Sequence, residues 1–156
     1  MICVCFFLFF ALAVVRAPKF SHTTPILKSL HWLKINERIE YKILSLTFKL
    51  LYTAQPPYLY NSVSLQPPRN TQSSSVVTLA RPSTHSSLKI TSRSFRYASP
   101  HLWNQLPHSL RQPPDSPYFH DHLTSSASPS PLLSSITPSF FHSNLKTFLF
   151  LKSYPP

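Results

Sequence analysis

Glycine is absent from all 156 residues, whereas proline occurs 17 times. Ordinary usage near 7% would supply about eleven glycines to a chain of this length. Wherever the backbone needs a positive φ, a residue with a Cβ must then accept the strain. Tight I′ and II′ hairpins and left-handed helix caps are therefore disfavoured.

The same bias explains much of the remaining composition. Ser, Pro, Leu and Phe dominate, and all can be written with pyrimidine-rich codons. Gly, Asp, Glu, Ala and Val have codons that begin with G, and all are scarce. A G-poor coding strand produces this pattern without selection on the protein. It also accounts for the net charge of +11, since 15 Lys and Arg face only Glu37, Glu40, Asp115 and Asp121. The charge is thus weak evidence of design, but its physics stands: a pI near 10.1 favours association with nucleic acid, anionic lipid or acidic proteins. The length suits one ordinary domain. Cys3 and Cys5, two thiols one residue apart, form neither a disulfide framework nor a zinc site.

Both cysteines lie in "MICVCFFLFFALAVVRAPK" (1–19), whose stretch from Ile2 to Val15 holds fourteen uninterrupted apolar residues. That is short of the ~20 residues that cross a bilayer and matches the apolar region of a signal peptide. No basic residue precedes it, Pro18 follows the small Ala17, and Arg16 and Lys19 flank its end, as in an inverted anchor. If functional, the run points to the secretory pathway or to membrane contact through residues 2–15, with a signal peptide favoured over an anchor; the alternative is flanking DNA read as protein.

Periodicity is strongest over 24–54. Thr24 followed by Pro25 reads as N-cap and first residue of a helix over 25–34, with Ile26, Leu27, Leu30 and Leu33 on one side. Asn36 is placed to cap a second helix over 37–54, and Glu37 and Glu40 suit the positive end of its dipole. Ile39, Ile43, Leu46 and Leu50 form its apolar stripe, widened by Leu44, Phe48 and Leu51, with Arg38, Lys42, Ser45 and Lys49 opposite. Pro56 and Pro57 end it.

Beyond Tyr58 the expected fold is mainly α but fragmentary. Residues 58–75 read as loop. "SSVVTLA" and "SLKITS" suggest a short β pair around Val77 and Ile90, turning near Pro82. Ser99 and Pro100 read as cap and first residue of a short helix over 100–106, with Leu102, Trp103 and Leu106 inside and Pro107 as its end. Residues 113–137 are Ser/Pro-rich, low in complexity and expected to be disordered. Thr137 and Pro138 open a last helix over 138–151 carrying Phe141, Leu145, Phe148 and Leu149. These elements divide the chain into an apolar segment (1–19), a central region (22–112), a spacer (113–137) and a C-terminal helix. The core is expected to be thin and the last helix detached, so that the apolar faces belong against a larger body.

Three stretches carry a family likeness. "TPILKSLHWLKINERIEYKILSLTFKLLYTAQPPYL" (24–59) and "RSFRYASPHLWNQLPHSLR" (93–111) closely resemble segments at the C-terminal end of reverse transcriptase polyproteins of Jockey-like non-LTR (LINE) retrotransposons. "SNLKTFLF" (143–150) is similar to the closing helix of that family. The likeness covers roughly residues 22–111 and 140–151, with the first two segments in the family's order and near its separation. Lys34 stands where the family usually has Pro, Thr91 and Ser92 stand near its usual Gly, and the spacer before the last helix is longer. The resemblance implies a polymerase tail from which the polymerase body is missing.

Reverse transcription needs clustered carboxylates on two metal ions, in the family including a Tyr-Xaa-Asp-Asp turn. The four acids here include no adjacent pair, so an enzyme is not expected, nor is a cofactor or small-molecule substrate. His120, Asp121 and His122 are the one metal-like cluster, and nothing nearby supplies a third rigid ligand, so no metal site is assigned. His31, His101 and His108 lie beside apolar residues and read as boundary residues, not catalytic bases. Nucleic acid is the remaining partner class. No acid occurs from Tyr41 to Pro114, while Lys89, Arg93, Arg96, Tyr97 and Arg111 mix cations with an aromatic ring, as tolerant single-strand binders do. Phe95 and Trp103 are expected to pack inward. The sequence therefore predicts a transposon-derived remnant without evolved activity. The alternatives are a weak, salt-sensitive RNA- or DNA-binding fragment and a small basic secreted or membrane-tethered protein.

Overall fold

A computed structural model describes residues 10–16, 18, 21–66, 76–83, 94–112 and 137–155. The chain is mainly α. Its helices are α1 (Thr23–Ser29), α2 (Ile35–Thr53), α3 (Pro57–Tyr60), α4 (Phe95–Asn104) and α5 (Pro138–Ser153), with a 3-10 turn at His108–Leu110. Residues 10–15 are also helical. The contacts form two compact units, one of residues 1–41 with 145–156 and one of residues 42–144. The spacer expected to be disordered lies almost wholly outside the described residues, as do Ile90 and the first nine residues.

In the first unit Ala11, Leu27 and Tyr154 are buried together, with Leu30, Trp32 and Phe150 packed against them. Phe10 stacks on Trp32 at 6.1 Å. Tyr154 closes this unit through polar contacts as well: its hydroxyl donates to the Trp32 carbonyl at 3.0 Å. The Lys34 ammonium donates to the Ser153 carbonyl at 2.8 Å and sits 4.9 Å from the Tyr154 ring centre. Lys152 pairs with Glu40 at 2.7 Å.

The first helix differs from expectation at both ends. It begins at Thr23 after His22, so Thr24 lies inside and Pro25 is its third residue. A proline there is tolerated because the first turn's N–H groups have no intrahelical acceptor. It ends at Ser29, five residues early, with Leu30 as its C-cap. His31 takes φ 53°. The Trp32 N–H then donates to the Leu27 carbonyl at 2.9 Å and the His31 N–H to the Lys28 carbonyl at 3.1 Å. That paired closure is a Schellman motif, and Trp32 packs near Leu27 as such motifs favour. Arg16 and Ala54 also adopt φ 53°. Left-handed caps, disfavoured on composition, are thus used three times among the described residues without glycine. The Ala54 N–H bonds the Leu50 carbonyl at 2.9 Å, which satisfies an end-of-helix acceptor in exchange for the strain.

That strain makes a testable expectation. A left-handed residue with a Cβ costs ~1–2 kcal/mol, and glycine returns part of this through greater freedom in the unfolded chain. Ala54→Gly should therefore raise stability by about 0.5–1 kcal/mol, read as a higher urea midpoint. His31→Gly should gain less, because His31 also stacks on Phe150 at 5.6 Å. A lower midpoint for Ala54→Gly would contradict the assignment of the cap.

The second helix starts at Ile35, so Asn36 is an exposed residue of its first turn and not its cap. The Lys34 carbonyl accepts the first turn's Arg38 N–H at 3.0 Å. Its buried face is also rotated from the expected stripe. Ile39 is 53% exposed. Leu44, Thr47, Phe48, Leu50 and Leu51 are the buried positions. The rotation centres on a threonine because its hydroxyl is satisfied twice. Thr47 Oγ1 donates to the Ile43 carbonyl at 2.8 Å and lies 2.8 Å from Ser99 Oγ. With its single proton spent on Ile43, it accepts from Ser99.

In the second unit no strand forms among the described residues. Leu65 and Leu79 make an isolated antiparallel bridge, with Gln66 donating to Thr78 at 2.9 Å and Ala80 to Ser64 at 2.8 Å. The stretch around Val77 therefore pairs with the segment before it, inside what was expected to be loop. α4 begins at Phe95 after Ser94, five residues before the expected start, and Pro100 lies within it. The Ser94 carbonyl accepts from Tyr97 at 3.1 Å and Ala98 at 2.9 Å, which opens the helix. Ser99 is buried against Thr47 and is not a cap.

α5 opens as expected: Pro138 is its first residue and the Thr137 carbonyl accepts the Phe141 N–H at 3.0 Å. Phe141, Leu145 and Leu149 are buried and Phe148 half-buried. The helix is not detached. Phe141 stacks on Phe48 with centroids 4.0 Å apart and on Trp103 at 6.0 Å. Leu44, Trp103 and Phe141 are each 1% exposed or less, so these apolar side chains are covered within the chain, while Tyr58 and Phe140 of the same unit stay exposed.

Candidate nucleic-acid interface

The interface predicted from sequence centres on α4, and the way α4 is fixed decides which of its residues reach solvent. Trp103 points inward, its indole N–H donating to the Val77 carbonyl at 3.0 Å. Asn104 acts like a piece of neighbouring strand. Its carbonyl oxygen accepts the Leu79 N–H at 3.0 Å, and its amide donates to the Leu79 carbonyl at 2.9 Å. The Val77 N–H donates to the Arg111 carbonyl at 2.9 Å. Residues 76–80 are thus stitched between α4 and the chain after the 3-10 turn.

This leaves Arg96 exposed and Tyr97 half-buried on the first turn of α4. As consecutive helical residues they project about 100° apart, so they do not form one flat cation–ring platform. Phe95 is half-buried and Trp103 buried, as expected of inward-packing aromatics. Arg111 is anchored elsewhere, at the Val77 contact. Its Nε is buried without a hydrogen-bond partner. Burial pulls its guanidinium below the usual arginine range, since desolvation disfavours the charged form. Lys89 and Arg93 lie outside the described residues.

The wider charge pattern is more one-sided than α4 alone. The described residues of the second unit include Lys42, Lys49, Arg81, Arg96 and Arg111 and no Asp or Glu. Both described acids, Glu37 and Glu40, belong to the first unit. There the Tyr154 hydroxyl is raised above the usual tyrosine range, by burial first and by the charge of Glu37 second. Lys42, Lys49, Arg81 and Arg96 are exposed, and no carboxylate side chain occurs among the described residues of their unit.

Sequence reasoning did not foresee Asn104. Its signal was present, since asparagine is a poor helix former and here adjoins a buried tryptophan at a helix end. The histidines read as boundary residues are exposed: His31 at the α1 cap, His101 beside Gln105 at 3.3 Å, and His108 in the 3-10 turn. Among the described residues no three His, Cys, Asp or Glu side chains gather as metal ligands, and His120, Asp121 and His122 lie outside them. No protein-family model, curated protein or solved structure matches the chain.

Proposed function

We propose that residues 22–112 and 138–151 descend from the C-terminal region of a Jockey-like non-LTR retrotransposon reverse transcriptase, as a remnant without polymerase or endonuclease chemistry. The observation that supports this reading is that the family-like segments stand in the family's order, the first two near its separation, and that each carries helical structure. Residues 24–59 hold all of α2 and most of α1 and α3, and residues 93–111 hold α4 with its 3-10 turn. The missing chemistry follows from composition, because four scattered acids supply no metal-binding pair for phosphoryl transfer.

A second reading, a weak non-specific nucleic-acid binder, is favoured by the charge of the second unit's described residues, which include cations and no acid. Electrostatic contact with phosphates releases counterions, so affinity must fall steeply with salt.

One RNA template–primer duplex with a single-stranded overhang tests both. Incubated with nucleotides and Mg²⁺, the chain should extend no primer, and extension above the protein-free control would overturn the remnant reading. Fluorescence anisotropy on the same RNA should show affinity dropping about a hundredfold between 50 and 200 mM salt, as for roughly 4–6 neutralised phosphates. Arg96→Gln should flatten the log–log slope by about 0.7. Salt-independent affinity, or no binding at low salt, would remove the second reading.

A further inference from the structure

The helical residues 10–15 have two sides of opposite fate. Ala11 is buried against Leu27 and Tyr154. Phe10 and Val14, one turn apart, are 54% and 52% exposed, and Ala13 and Val15 are exposed beside them. A helix lying on a protein in water normally turns polar residues outward, and this one has none to turn: every residue from Ile2 to Val15 is apolar. Arg16, which follows this helix, is exposed, as is Lys28 beside the buried Leu27 that Ala11 packs on, and no acid occurs in the sequence before Glu37.

Apolar side chains at the surface, bordered by uncompensated cations, are complementary to a lipid interface with anionic headgroups. The alternative of a span fails on length. Fourteen residues rise about 21 Å as a helix, against a hydrocarbon thickness of ~30 Å. No helix of the described residues is long and apolar enough to cross a membrane. We propose that residues 10–16, with Lys28, form a peripheral docking surface for anionic membranes, with Phe10 and Val14 entering the interface and Arg16 lying at headgroup level. This does not rest on the retrotransposon reading, and either can fail alone.

The test is co-sedimentation of the full chain with vesicles of phosphatidylcholine containing about a quarter phosphatidylserine. The chain should bind these vesicles and bind pure phosphatidylcholine vesicles at least about fivefold less. Val14→Asp removes apolar contact at an exposed position, so the circular dichroism spectrum should be unchanged while vesicle binding falls about tenfold. Arg16→Gln should lower it about fivefold and only for the anionic vesicles. Phe10 stacks on Trp32, so brominated lipid should quench part of the tryptophan emission on binding. No binding to the serine-containing vesicles overturns the proposal. So does binding that Val14→Asp leaves intact, which would mark general attraction of a basic chain to any polyanion. An Arg16→Gln change that weakens RNA and vesicle binding equally, with Val14→Asp affecting neither, assigns the surface to nucleic acid instead.

Discussion

Trp103→Ala should lower the free energy of unfolding by about 3–5 kcal/mol, the usual range for truncating a buried tryptophan. The side chain is 1% exposed, so the substitution removes a fully desolvated indole and opens a cavity. Two specific losses add to that. The Val77 carbonyl forfeits its indole donor, and Phe141 loses a ring stacked at 6.0 Å. Domains of this size are stable by about 5–15 kcal/mol, so the variant should retain little cooperative unfolding at room temperature. Urea denaturation followed by circular dichroism at the helix band measures this directly. Trp103→Phe keeps the ring and removes the N–H, and should cost less, about 1–3 kcal/mol for an orphaned buried carbonyl plus a smaller packing loss. If Trp103→Ala shifted the midpoint by under about 1 kcal/mol, the side chain would not be the packed centre of its unit.

Trp103 also marks the limit of what could be read before the structure. Its inward direction was legible, since a tryptophan among leucines on a short helix has few alternatives to burial. The helix that carries it was misplaced because two serines compete for the same role. Ser99-Pro100 has the local chemistry of a cap and first residue. Only the distant Thr47 hydroxyl explains why Ser99 is inside and Ser94 opens the helix. The same pair explains the rotated face of α2. A threonine is discounted when apolar periodicity is counted, so the expected stripe of Ile39, Ile43, Leu46 and Leu50, widened by Leu44, Phe48 and Leu51, holds four of the five buried residues and misses Thr47, towards which the buried face is turned. Local signals at α5 carried no such rival, and Thr137, Pro138, Phe141, Leu145 and Leu149 fell where the spacing put them. The Leu65–Leu79 bridge was beyond reach, because without a tight turn nothing local fixes the register of two extended segments. At the candidate interface the exposure of Arg96 is what its charge alone suggests, although the helix that carries it was expected to begin only at Pro100. The anchoring of Arg111 depends on Val77, far away in sequence, and left no local trace.

Phe141→Ala tests the largest departure from expectation, the integration of α5. From sequence this helix looked separate, joined through a long Ser/Pro-rich spacer to a body with a thin core. In the structure Phe141 is completely buried, nearly parallel to Phe48 at 4.0 Å, and it also stacks on Trp103. Truncation should therefore cost about 3–5 kcal/mol, as much as the loss of Trp103 itself. A detached helix would give a different answer: an exposed phenylalanine on an isolated amphipathic segment changes stability by about 0.5 kcal/mol or less. The two substitutions should also fail to add. Residues in direct contact share part of their energy, so Trp103→Ala and Phe141→Ala together should destabilise less than their sum, by about 0.5–3 kcal/mol. Because each single variant is expected to be marginal, the cycle is best run with Trp103→Phe and Phe141→Leu, which keep enough stability to measure. Coupling between these gentler changes places the opening turns of α5, around Phe141, in the same cooperative unit as α4. Strict additivity, together with a small effect of Phe141→Ala, would mean that α5 packs on nothing that unfolds with it, and the covered core described for the second unit would not exist.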